Sequence, residues 1–98
     1  MVDKLTPAEL EQHLGSRFRI DLGAAGPEEL ELVQVQRYKP EWQGPRSEPF
    51  SAFFLGSTPR ILQQQIYRLE HAALGALDLF LVPVGREGQR IRYEAVFN

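Results

Sequence analysis

The chain has no cysteine. Disulfides, thiolate zinc sites, iron–sulfur ligation and cysteine nucleophiles are therefore excluded together, while the redox compartment stays open. Lysine is almost missing as well: Lys4 and Lys39 stand against nine arginines. Basic blocks are absent. Residues 1–44 carry five bases and eight acids, residues 45–98 six and five, and the net charge is −2. Nucleic-acid binding needs a cationic footprint to displace counterions, and none is present. The longest apolar run, near residues 79–84, falls far short of the roughly 20 residues a membrane helix requires. The opening stretch MVDKLTPAELEQHL has no apolar core of a secretory signal, so a cytoplasmic protein is expected.

Catalytic and cofactor motifs are equally scarce. No GxxxxGK phosphate loop occurs, and GAAG at 23–26 is too short and unsupported for a dinucleotide fingerprint. Ser16, Ser47, Ser51 and Ser57 all lie outside any GxSxG elbow. His13 and His71 are the only imidazoles, in neither an HxH nor an HExxH arrangement. Adjacent strand residues such as Glu70 and His71 point to opposite faces, which suits chelation poorly. The sequence therefore predicts no metal, no cofactor and no catalytic set: a non-enzyme.

What is present is a core. Hydrophobic residues make up 43% of 98 positions, including six Phe, three Tyr and one Trp, enough for a single packed domain spanning residues 1–98. TPAELEQHLG predicts a helix over residues 6–14, with Thr6 as N-cap, Pro7 in the first turn, Glu9 completing a capping box and Gly15 as the stop. Leu5, Leu10 and Leu14 would form its apolar stripe. His13 follows Glu9 at i+4 and sits near the helix C-terminus, where positive charge is favoured. After Gly15 the period becomes two: Phe18, Ile20 and Leu22 face one way, Arg17, Arg19 and Asp21 the other. GAAGP at 23–27 is a turn. In EELELVQVQRY, Leu30 and Leu32 are out of phase with Val33 and Val35, which predicts a β-bulge near Leu32–Val33 or a strand buried on both faces.

KPEWQGPRSEP, residues 39–49, holds three prolines and the single tryptophan and cannot pair regularly in a sheet. It reads as a long loop. Trp42 is either a recognition anchor, flanked by Tyr38 and Arg46 as partner-binding candidates, or a plug over one open end of the core. Strand follows strand after that: PFSAFFLG, QIYRLEH, LDLFLVPV and RIRYEAVFN, with AALGA and GREGQ as turns and STPRILQQQ as a connector of uncertain shape. Pro83 places its strand at an edge or near its end.

YRLEH, residues 67–71, gathers reactive residue types but reads better as a strand. Tyr67, Leu69 and His71 share one face; Ile66, Arg68 and Glu70 share the other, within reach of Asp78, Arg90, Arg92 and Glu94. His71, just before AALG, would hold that turn by bonding a backbone carbonyl. The terminal alternation of Tyr93, Ala95 and Phe97 makes the last strand structural, paired inside the sheet or added to a neighbouring subunit's edge.

The residues YRLEHAALGALDLFLVPVG (67–85), YEAVFN (93–98) and EPFSAFFLG (48–56) resemble a family of short bacterial proteins known only as a domain of unknown function. The resemblance spans nearly the whole chain. PRILQQQIY departs from it, standing where a glycine-containing turn is expected before the tyrosine. The resemblance implies an association with genes for phage-tail-collar-like proteins and transfers no catalytic residues. The expected fold is a mainly β, antiparallel barrel or rolled sheet of about six strands, with the helix over one opening. The expected function is a non-enzymatic interaction or assembly module, in a phage-tail-like or surface-fibre system. It would self-associate or bind a protein partner through a sheet edge that lacks the usual protective lysines. The alternative is a small-ligand-binding barrel with Phe53, Tyr67, Phe80 and Tyr93 around its pocket.

Overall fold

A computed structural model describes residues 5–38 and 49–97. A short helix, α1 (Pro7–Glu11), precedes six strands: β1 (Arg17–Asp21), β2 (Pro27–Arg37), β3 (Phe50–Gly56), β4 (Gln65–His71), β5 (Gly75–Glu87) and β6 (Arg90–Phe97). All neighbours are antiparallel, and the sheet closes into a barrel in the order β1-β2-β3-β6-β5-β4. The expected mainly β barrel with one short N-terminal helix is what the chain forms.

The helix is shorter than the expected 6–14. Its start has the anticipated capping box: the Glu9 amide donates to Thr6 Oγ1 at 3.1 Å and the Thr6 amide to Glu9 Oε1 at 3.0 Å. A peptide of this length has almost no helical stability of its own, so tertiary docking decides where it stops. After Glu11 the chain tightens into three-residue turns, with the His13 amide donating to the Leu10 carbonyl at 2.8 Å, and the Gly15 amide donates to the Leu32 carbonyl of β2 at 2.7 Å. Gly15 takes the left-handed conformation there, φ 87°. Leu5 and Leu10 enter the core, whereas Leu14, placed in the same stripe from sequence, is exposed.

Strand alternation fills the barrel interior with Phe18, Ile20, Leu30, Leu32, Phe54, Leu69, Leu77, Leu79, Leu81, Ile91 and Tyr93, among others. The bulge expected near Leu32–Val33 is present: the β2/β3 register slips between Leu32 and Gln34 and turns Val35 back onto the core. A second slip lies between Pro83 and Gly85 of β5, and it falls where Pro83 marks a local edge: the β4/β5 ladder ends at Gln65↔Leu81, so at Pro83 the strand pairs with β6 alone. β5 runs on to Glu87 against β6 only, so the proline lies on a stretch that is open on its β4 side, where a residue without an amide proton is tolerated.

The strand order explains the uncertain connector. β3 and β4 lie three places apart around a six-stranded barrel, hence on opposite walls. The chain between them, residues 57–64, must cross the barrel end, and it drops Leu62 into the core as it does so. At the opposite end Leu5 and Leu10 close the mouth. Both ends are thus stoppered by apolar side chains.

Candidate functional site

Two polar clusters and one apolar band stand out on this frame. The first cluster is at the mouth closed by Leu5 and Leu10, and it contains His71. As expected, Tyr67 and Leu69 face inward with His71 while Ile66, Arg68 and Glu70 are exposed. His71 also holds the following turn, but not through a carbonyl. Its Nδ1 accepts from the amides of Ala73 and Leu74, at 3.0 and 3.1 Å. Nδ1 must then carry a lone pair, so the proton of the neutral ring is on Nε2. Nε2 meets Ser16 Oγ at 2.9 Å, and Ser16 Oγ meets the His13 carbonyl oxygen at 2.5 Å. The carbonyl can only accept, so Ser16 donates to it and receives from His71. A hydrolytic serine–histidine pair requires the reverse, with the hydroxyl donating to a bare imidazole nitrogen. Ser16 and His71 are wired as structure. Burial first, then the neighbouring His13, holds the His71 pKa below its ordinary value.

The second cluster, at the opposite end, was missed from sequence. The Glu28 side chain is fully buried and accepts from the Ser57 amide (3.1 Å), the Ser57 hydroxyl (3.3 Å), the Thr58 hydroxyl (3.2 Å) and the Arg60 guanidinium (2.8 Å). It pins the crossing connector. The Leu62 amide donates to the Tyr93 hydroxyl at 2.9 Å, and that hydroxyl donates to the Arg60 carbonyl at 3.3 Å. The signal was there: Glu28 is in phase with Leu30 and Leu32, so the alternation that buries them buries it. Such an arrangement offers no open acceptor for chemistry; every donor belongs to the lid.

The four residues expected around a ligand pocket do not converge. Tyr67 and Tyr93 are interior, and the Tyr67 hydroxyl is tied to the Gln63 carbonyl at 2.6 Å. Phe80 is 49% exposed, because Leu79 and Leu81 on either side take the inward phase. Phe53 likewise alternates out between Ala52 and Phe54 and packs under the Arg92 guanidinium, 4.6 Å from its ring centre. Of the partner-binding candidates, Trp42 and Arg46 lie outside the described residues. Tyr38 is exposed at the end of β2, and its hydroxyl donates to Ser51, which donates to Glu94 at 2.7 Å.

The apolar band is on the outer wall. Ile66 and Phe80 are cross-strand partners on β4 and β5 and are 66% and 49% exposed; Val96 on β6 is 57% exposed. Extending the β5/β6 register two places from Val82↔Glu94 brings Val96 abreast of Phe80. Three adjacent strands therefore show apolar side chains to solvent in one row. Among the described residues no three His, Asp or Glu side chains are grouped to hold a metal ion, and no helix is long and apolar enough to cross a membrane.

These features define a small closed antiparallel barrel with structurally committed polar clusters. The chain belongs to the family described as a domain of unknown function, DUF6916, which matches residues 5–97. No curated protein matches it, and no solved structure does.

Proposed function

We propose that this domain is a non-enzymatic protein-interaction or assembly module. The observation that carries the reading is the exposed row Ile66–Phe80–Val96 across β4, β5 and β6. Apolar side chains that are contiguous on an otherwise polar wall mark interaction surfaces more often than isolated ones do. The band adjoins the seam between β1 and β4, where only Arg19↔Glu70 and Ile20↔Leu69 pair; it is the part of this closed sheet closest to an edge. The reversed wiring of Ser16 and His71 supports the absence of enzymatic activity. The outward placement of Phe53 and Phe80 weighs against the ligand-binding alternative. The bacterial phage-tail-like or surface-fibre setting, taken from the sequence resemblance, completes the proposal: the partner is a protein of such an assembly.

The test is affinity capture from the native host, with the wild-type domain and an Ile66→Lys/Phe80→Glu variant as paired baits. Both exposed positions tolerate charge, so the variant keeps its fold and melting curve. A defined protein retained by the wild type and lost by the variant supports the reading. Identical captures by both baits remove the band as the contact surface.

A further inference from the structure

The barrel closes unevenly. Its other ladders run over five to seven residue pairs, but β1 and β4 meet over two. Beyond Arg19↔Glu70 the next residue of β4 is His71, and there the side chain continues the seam: Nε2 reaches across to Ser16. One ring thereby secures three things. Nδ1 holds the β4–β5 turn through two amides, Nε2 bridges the seam, and the Ser16 hydroxyl passes the connection on to the His13 carbonyl after α1.

This wiring fits a single protonation state. An imidazolium carries a proton on Nδ1, where the Ala73 and Leu74 amides already point, so two donors would meet a third. Among the described residues no carboxylate is bonded to the ring. The His13 ring, an imidazole and not a carboxylate, stands edge-on with its centre 4.8 Å away; Phe18 covers another side at 4.5 Å. Of the α1 carboxylates, Glu9 is engaged by Thr6 and Glu11 by Arg37. Arg17 is paired with Glu29, Arg19 and Glu70 are on the outer face, Glu31 of β2 is paired with Arg90, and Asp78 of β5 with Arg68. The turn residues 72–75 contain no titratable side chain.

We propose that His71 is an acid-released latch: on taking up a proton it frees the β4–β5 turn and the Ser16 bridge together, opening the β1/β4 seam at that mouth while the other strands stay paired. The lowered pKa of His71, from burial and then His13, agrees in direction. A depressed native value means that the latch's stability is present above the ordinary imidazole range, near pH 6.5, and is lost as pH falls through the native pKa.

Residue-resolved amide exchange on the intact domain, from about pH 7.5 to about pH 5, tests this alongside the NMR titration of the two imidazoles. The expected result is a fall of up to about tenfold per pH unit in protection at Ala73 and Leu74, beginning below the ordinary imidazole range near pH 6.5 and levelling off once the native His71 titrates, with β3 and β6 protection unchanged. His71→Asn offers a side-chain carbonyl to the turn amides but does not titrate, and it should make turn protection independent of pH. Turn protection that is constant in the wild type overturns the proposal. So does loss shared equally by all strands, or wild-type pH dependence in H71N. If H71N does not fold, the wild-type exchange pattern decides alone.

Discussion

The Arg60 guanidinium lies 2.8 Å from the carboxylate of Glu28, whose side chain has no exposed surface, while Arg60 itself keeps contact with water. This is a pair with one foot in the core. Its geometry makes the connector between β3 and β4 a fixed lid, since Ser57 and Thr58 converge on the same carboxylate.

Glu28→Ala is expected to cost about 2–4 kcal/mol, toward the range for breaking a buried pair and leaving its donors unsatisfied. Arg60 rehydrates, which moderates the loss; the part-buried Ser57 amide and Thr58 hydroxyl do not recover as easily. Urea unfolding measures it. A change below about 0.5 kcal/mol, the usual scale for a surface substitution, would mean that the lid does not depend on the carboxylate.

Gly56→Ala should destabilise although Gly56 has no positive φ to lose. An added Cβ would lie 3.3 Å from Glu28 Oε2 and 3.5 Å from Tyr93 Cε2. The Glu28 carboxylate is held by its donors and has little room to yield. Overpacking of this kind costs about 1–3 kcal/mol, read as a lowered melting temperature. A neutral or stabilising result would show that the lid gives way.

Tyr93→Phe removes the hydroxyl that receives the Leu62 amide and should cost about 1–2 kcal/mol at neutral pH. The same variant has an alkaline signature. Burial raises the Tyr93 pKa above its ordinary value, and burial raises that of Tyr67 as well. Above about pH 10 the unfolded chain releases these protons and the native chain does not, so stability falls with rising pH until the native groups ionise. The variant should lose stability less steeply in that window. Equal alkaline slopes for both proteins would assign the loss elsewhere.

The barrel was legible because strand alternation is a local signal. Phe18 with Ile20, Leu30 with Leu32, and Tyr93 with Ala95 and Phe97 each announce an inward face, and even the bulge at Val33 showed as a phase slip. The helix end was less legible: Leu14 continues the apolar spacing, and only the bond between Gly15 and Leu32, seventeen residues on, shows why the helix stops early. The lid cluster depends on strand order. Nothing local reveals that β3 and β4 stand on opposite walls, so alternation could signal that Glu28 is buried but not which donors meet it. The expected ligand quartet failed for a simpler reason. Phe53 and Phe80 are aromatic but stand out of phase with their inward neighbours Ala52, Phe54, Leu79 and Leu81.

The terminal strand gives the most severe prediction. β6 lies between β3 and β5 in the closed order, so deleting residues 93–98 opens the barrel and leaves much of both neighbouring ladders without a partner. The β3 ladder loses five of its six pairs and the β5 ladder two of its five; the core loses Tyr93, Ala95 and Phe97, and Phe97 stacks on Phe50 with ring centres 4.4 Å apart and planes 9° from parallel. Loss of a buried aromatic side chain costs about 3–5 kcal/mol, and two go together here, against a typical domain stability of about 5–15 kcal/mol. The deletion should therefore abolish cooperative unfolding and native-like spectra. Phe97→Ala, which keeps the strand, should retain a cooperative melt at a lower midpoint. If the deleted chain still melted cooperatively, β6 would not be the keystone that its position between β3 and β5 makes it.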